Sequence, residues 1–181
     1  MKAANQVPKI FVTGRLQADD VLSRLPHKLT VITLRSRKDP SLKDPGLARV
    51  HFEVLVDDIE EPLEGYSVPS RPEAVAILEA WRKCQGGQLV LLHCEAGISR
   101  STAAALGLLF LEGSDVPASA KKLFEVNPFG VPNKRLLDAL LATRYGPEQA
   151  RVIRAQLIAA YTALQKAQEQ RNAIVIPSKA P

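Results

Sequence analysis

The sequence predicts an α/β fold, a mostly parallel central sheet of about four to five strands flanked by helices in three layers. Three observations carry this. Short β-branched and apolar runs alternate with longer segments of helical periodicity, the pattern of parallel strands joined by crossover helices. Some of those runs are unbroken, as in strands covered on both faces. One of them ends in HCEAGISRS (residues 93–101) and passes through that small loop straight into an alanine-rich helix.

The elements follow in order. KIFVT (9–13), closed by Gly14, is the first expected strand, and a helix is expected from Gln17 to Leu25. LTVITL (29–34) is apolar enough to be a buried strand. The polar loop after it holds two Asp-Pro pairs, and its Arg35, Arg37 and Lys38 stand beyond a strand end, where open α/β sheets place ligands. They are candidates for the entrance to a site, against the plainer alternative of an exposed cluster. RVHFEVLV (49–56) is a third strand that delivers Asp57 and Asp58 into an acidic loop, where Glu60, Glu61 and Glu64 read as solvated charges.

SRPE (70–73) is a capping box, and Ala74, Ile77, Leu78 and Trp81 recur at helical spacing in a helix expected to end by Gly86. Trp81 is read as a core anchor and Cys84 as a small buried apolar residue. Residues 88–92 form the central strand, ended by His93, and 101–112 form a helix apolar nearly all round. A short helix starts at Pro117 with Leu123 and Phe124 on its apolar side. Leu136, Leu137, Leu140 and Leu141 then mark a helix stopped by Gly146. Over 147–166 an amphipathic helix carries Ala150, Ile153, Leu157, Tyr161 and Leu164 on one face, a stripe to be covered by the domain or by another chain. The expected division is a catalytic domain over 1–146 and a C-terminal helix and tail over 147–181 packed on it. The tail QRNAIVIPSKAP is expected to be mobile.

The loop carries the chemistry. A helix start has backbone N–H groups without intrahelical acceptors and the positive end of the macrodipole, so the amides of Glu95, Ala96, Gly97, Ile98, Ser99 and Arg100 form a candidate phosphate cradle. Gly97 permits the tight inward turn such a ring of donors needs. Arg100 adds a fork that grips two phosphate oxygens at once. The same field stabilises a thiolate, so Cys94 reads as a nucleophile aimed at phosphorus, and the Ser101 hydroxyl can donate to its sulfur when that sulfur leaves. His93 is expected to hold the cradle's shape through loop backbone. Expelling an alkoxide also takes a proton donor from a separate loop, and a carboxylic acid after a neighbouring strand fits. Asp57 and Asp58 are both in place, and either can instead cap the turn.

HCEAGISRS resembles the signature loop of the cysteine-dependent protein tyrosine phosphatases, most of all the dual-specificity group, whose loops commonly read HCxAGxSRS. VDDIEEP upstream and NPFGVPNKRLLDALL downstream look like small bacterial members of that superfamily, so the resemblance covers about Lys9 to Tyr145. Rhodaneses typically have a shorter loop, and low-molecular-weight phosphatases carry the motif near the N-terminus. The resemblance implies a protein tyrosine phosphatase-like fold and hydrolysis through a cysteinyl-phosphate, with no metal and no cofactor. It assigns Asp58 as general acid, because related sequences read DIxxP, with Asp57 in reserve. It also implies that Asn133 braces the active loop, a residue that helix capping alone explains equally well. Lipid-directed members tend to have lysines in the loop. This loop has Glu95 and no lysine, which favours phosphotyrosyl protein, with phosphoserine and phosphothreonine open. The rivals are a phosphate-binding pseudophosphatase and a phosphatase of a phosphoinositide or other small phosphoester.

Composition limits the other classes. With 181 residues, 46% of them hydrophobic, the chain is about one domain in size. No apolar run is long enough to span a membrane, and MKAANQVPK lacks the apolar core of a signal peptide. Two cysteines are too few for a disulfide framework. The net charge of +5 is scattered among acids, without the aromatic interleaving of a nucleic-acid binder. The expectation is a cytoplasmic enzyme, monomer or weak homodimer, with a phosphorylated protein as partner and neither nucleic acid nor membrane.

Overall fold

The computed structural model describes residues 9–84 and 88–174. Its four strands are β1 (Lys9–Gly14), β2 (Leu29–Arg35), β3 (Val50–Leu55) and β4 (Leu89–Cys94), and they pair in parallel in the order β1-β4-β2-β3. Six helices connect and flank them: α1 (Arg15–Arg24), α2 (Arg71–Arg82), α3 (Arg100–Leu111), α4 (Val116–Val126), α5 (Lys134–Tyr145) and α6 (Pro147–Ile174).

The sequence pattern explains the strand order. LTVITL and LVLLHC, the unbroken apolar runs, are the inner strands β2 and β4 and are buried almost throughout. The edge strand β1 alternates between exposed and buried residues, and β3, at the other edge, is largely open along its length. One sheet face places Ile10, Val12, Ile32, Leu34, Val54, Val90 and Leu92 in the main core with α2, α3 and α5. The other face packs Leu29, Val31 and Leu91 on Ala18 and Leu22 of α1, with Leu42 and Ala48 closing the layer. Three layers result.

Helix α1 starts at Arg15, two residues before the expected start, because the chain turns from β1 into the helix with no linker. The Gln17 side chain, which reads as an ordinary first-turn residue, reaches back to accept the Gly14 N–H at 2.9 Å. The capping box at Ser70 is present, with the Glu73 carboxylate accepting from both the N–H and the hydroxyl of Ser70. Helix α2 ends at Arg82, and the expected stop at Gly86 lies outside the described residues. Trp81 is buried, and its indole N–H donates to Glu112 at 2.7 Å. Gly146, at φ 78°, breaks the chain between α5 and α6. Helix α6 packs on α4 and α5 and buries Ala150, Ile153, Leu157 and Tyr161 in the main core. It runs to Ile174 and so takes in the first residues of the tail, while 175–181 lie outside the described residues.

Candidate active site

The loop between β4 and α3 lies at the carboxyl ends of the strands, and its backbone is held from outside. The carbonyl of Glu95 accepts from Arg15 N–H at 3.0 Å, that of Gly97 from Asn127 Nδ2 at 3.0 Å, and that of Ile98 from Val131 N–H at 2.8 Å. Ser99 O accepts from Ala103 N–H at 2.9 Å within the helix start and lies 3.4 Å from Asn133 N. With its carbonyls drawn outward, the loop leaves the amides of Ala96 to Ser99 without an acceptor among the described residues, so they are free to ring an oxyanion. Gly97 has φ 73°, and a Cβ there would stand 2.3 Å from Gly14 N. Both the conformation and the close approach to the end of β1 exclude any other residue.

Cys94 closes β4 and is buried, with Sγ 3.2 Å from Ser101 Oγ in the first turn of α3. Arg100 opens α3 and is 4% exposed, with its guanidinium engaged on one side. Nη1 donates to Asp39 Oδ2 at 2.6 Å and to Val56 O at 3.1 Å. Its Nε is buried without a hydrogen bond among the described residues and lies 3.7 Å from Asp58 Oδ2. Burial works against the charge on Asp39, but the Ser36 N–H and the Arg100 guanidinium outweigh it and hold the carboxyl below its ordinary pKa. Asp39 was not among the expected site residues. Its Asp-Pro dipeptide signals only a turn, and nothing local points to an arginine 61 positions away.

The acidic loop after β3 separates its two aspartates. Asp58 leans over the cradle, accepting from Ser99 Oγ at 2.6 Å and from Asn133 Nδ2 at 3.0 Å. Asp57 turns away and accepts the Ser67 N–H at 2.8 Å, closing its own loop. The Asn133 side chain therefore holds the acid rather than the cysteine loop, and its Oδ1 at the same time caps α5 by accepting Leu136 N–H at 2.9 Å. Glu60 is not a free charge. It accepts Lys134 N–H at 2.9 Å and pairs with Lys134 Nζ at 3.4 Å, while Arg135 holds its carbonyl at 2.7 Å. The acid-bearing loop is thus tied at several points to the start of α5.

His93 is buried behind the loop with Nε2 2.7 Å from Thr33 Oγ1. Burial pushes its pKa down to about 4, so the ring is neutral at neutral pH. Glu95 directs its side chain outward to Arg15 at 3.0 Å. The basic cluster after β2 disperses. Arg35 pairs with Glu53 at 2.8 Å, and Lys38 lies over the Tyr66 ring at 3.9 Å. Arg37 and Lys38 line a separate cavity of about 290 Å³ with Asp57, Tyr66 and Glu73. Cys84 is free and buried, and burial raises its thiol to about 11, which leaves it inert.

No protein-family model matches the chain, and no curated protein does. Solved structures do. DUSP15 is 21% identical over 85% of this chain and 93% of that one, with a TM-score of 0.55. The PTP-2 phosphatase of Cydia pomonella is 17% identical over 77% of this chain and 89% of its own, with a TM-score of 0.52. PTPMT1, solved in complex with PI(5)P, is 16% identical over 83% and 90%, with a TM-score of 0.50. The four-stranded parallel sheet with its six helices is therefore the scaffold on which dual-specificity and protein tyrosine phosphatases are built.

Proposed function

We propose that the chain is a phosphoprotein phosphatase that hydrolyses phosphotyrosine, and by extension phosphoserine and phosphothreonine, through a cysteinyl-phosphate. The observation that carries the reading is the convergence of Cys94, Arg100, Ser101 and Asp58 on one loop whose carbonyls are tied outward. Cys94 attacks phosphorus in line, and Asp58 protonates the departing oxygen. Water then attacks the thiophosphate with Asp58 as base, Ser101 donates to the leaving sulfur, and phosphate is released. Arg100 Nε and the amides from Glu95 to Arg100 carry the charge of the equatorial oxygens throughout. Asn133 aims the acid, and His93 supports the loop from behind.

The likeness to dual-specificity phosphatases supports a phosphorylated substrate, and the finer likeness to small bacterial members rests on VDDIEEP and NPFGVPNKRLLDALL. A protein substrate is favoured over the phosphoinositide of the PTPMT1 complex because the loop itself carries no lysine. Two free cysteines suit a reducing compartment, the cytoplasm, and none of the described helices is long and apolar enough to cross a membrane. The testing experiment is hydrolysis of p-nitrophenyl phosphate by the reduced protein, with chelator present, against pH. A bell-shaped profile is expected. A folded protein that binds phosphate without turnover would identify a pseudophosphatase instead.

Leaving groups test the acid. Asp58→Ala should slow hydrolysis of alkyl phosphates about a hundredfold or more while activated aryl phosphates lose much less. If Asp57→Ala shows that pattern and Asp58→Ala does not, the acid is assigned to the wrong neighbour.

A further inference from the structure

Three adjacent strands place a threonine between two histidines. Thr33 Oγ1 in β2 lies 2.7 Å from Nε2 of His93 in β4 and 2.7 Å from Nε2 of His51 in β3. A hydroxyl has one proton, so Thr33 donates to one ring and accepts from the other. Both imidazoles are disfavoured as cations by burial, His93 most strongly. The two neutral rings must therefore hold opposite tautomers, one protonated on Nε2 and the other on Nδ1.

The surroundings of His93 select the arrangement. Its Nδ1 is buried and has no hydrogen bond among the described residues, while the neighbouring Cys94 backbone favours the protonated ring. A proton on Nδ1 leaves Nε2 bare to accept from Thr33, which then accepts from His51 Nε2–H. The charges around this chain are paired among themselves. Glu53 beside His51 is bound to Arg35 at 2.8 Å, and Asp19 and Arg15 of α1, which act on His93 with opposite signs, meet at 3.5 Å.

We propose that Thr33 and His51 are positioning residues of the active site, which lock His93 with its Nδ1–H directed at the Cys94 backbone. A line of donors then runs from the sheet edge through two strands to the residue that carries the sulfur, and each dipole in it favours negative charge at the far end. Neither residue touches substrate. The inference rests on Cys94 being the reactive thiolate.

The test is the rate at which iodoacetamide modifies Cys94 in the full chain, measured from pH 5 to 9. Cys84 stays silent over most of this range because burial raises its thiol to about 11. Thr33→Val should slow modification at pH 6 roughly threefold to tenfold, with the difference closing as pH rises. Thr33→Ser should restore the wild-type rate. His51→Phe should slow it in the same sense, and the double variant Thr33→Val/His51→Phe should be no slower than Thr33→Val, since the two act as one unit. A folded Thr33→Val that reacts as fast as wild type overturns the proposal. Should the buried substitution not fold, His51→Phe at the half-buried edge position decides in the same way. A wild-type Cys94 no faster at pH 6 than a free thiol removes the catalytic reading and the relay with it. A fast wild type matched by equally fast variants removes the relay alone.

Discussion

Arg100 depends on a carboxylate that lies outside its own loop. Asp39 fixes one end of the guanidinium at 2.6 Å, so that Nε is presented to the cradle in a set orientation. Asp39→Asn keeps the shape and removes the charge. It should lower kcat/KM about tenfold to a hundredfold, the worth of a hydrogen bond to a charged group, while the fold is retained. Unchanged kinetics would show that Val56 O alone positions the arginine. That Cys94, Arg100 and Ser101 come together was legible in the sequence, because they belong to one continuous loop and helix start. Asp39 was not, because a residue recruited across the sheet leaves no periodic trace. The buried histidines have a consequence for stability. His93 binds its proton at about pH 4 when folded and near 6.5 otherwise, so between those values the unfolded chain takes up more protons. Stability is full above about pH 6.5 and is lost as pH falls toward 4, by on the order of 2 kcal/mol between pH 6.5 and 5. His51, also lowered by burial, acts with the same sign. Denaturant unfolding at pH 7, 6 and 5 measures this, and His93→Asn should flatten the slope. A wild type equally stable at pH 7 and 5 would contradict it.

At the scale of elements, the start of α5 organises the loop that carries Asp58. Asn133 caps the helix with its oxygen and holds Asp58 with its amide, and Glu60 occupies the next free N–H. The substitution Asn133→Ala should cost about 1 kcal/mol of stability as a lost cap. It should also weaken hydrolysis of poor leaving groups more than that of p-nitrophenyl phosphate, because the acid loses its aim. Equal losses on both would make Asn133 a cap and nothing more. The capping role was legible from PN before a leucine-rich helix. The bond to Asp58 spans 75 positions and was not. Nor was the role of Glu60, since an acidic loop looks solvated until a helix start is placed against it. The helices themselves were plain from their leucines. The strands were plain too, including which two lie inside, because burial on both faces demands continuous apolar runs.

Across the whole molecule, α6 reaches the cradle through the loop between α4 and α5. The Tyr161 hydroxyl donates to Asn127 O and accepts Gly130 N–H at 3.0 Å, and Gln165 Nε2 holds the carbonyls of Pro128 and Gly130 at 2.9 and 3.0 Å. The same loop supplies Asn127 and Val131 to the carbonyls of Gly97 and Ile98. A stripe that the sequence left to be covered by the domain or by another chain is thus covered by α4 and α5, and its tyrosine ends in the supports of the active loop. Tyr161→Phe should cost roughly 1–3 kcal/mol, because it leaves a buried N–H and C=O short of partners. Phosphate affinity should fall with it, whereas a purely local role would leave phosphate affinity unchanged. The proposed mechanism turns on one covalent step, and that step can be caught. Acid quenching during turnover of a phosphotyrosyl peptide, followed by peptide mapping, should find a phosphate on Cys94 in the wild type and none in Cys94→Ser, which should bind phosphate but not turn over. Continued hydrolysis by Cys94→Ser, or rapid wild-type turnover with no phosphate ever on Cys94, would contradict the proposed mechanism at its centre.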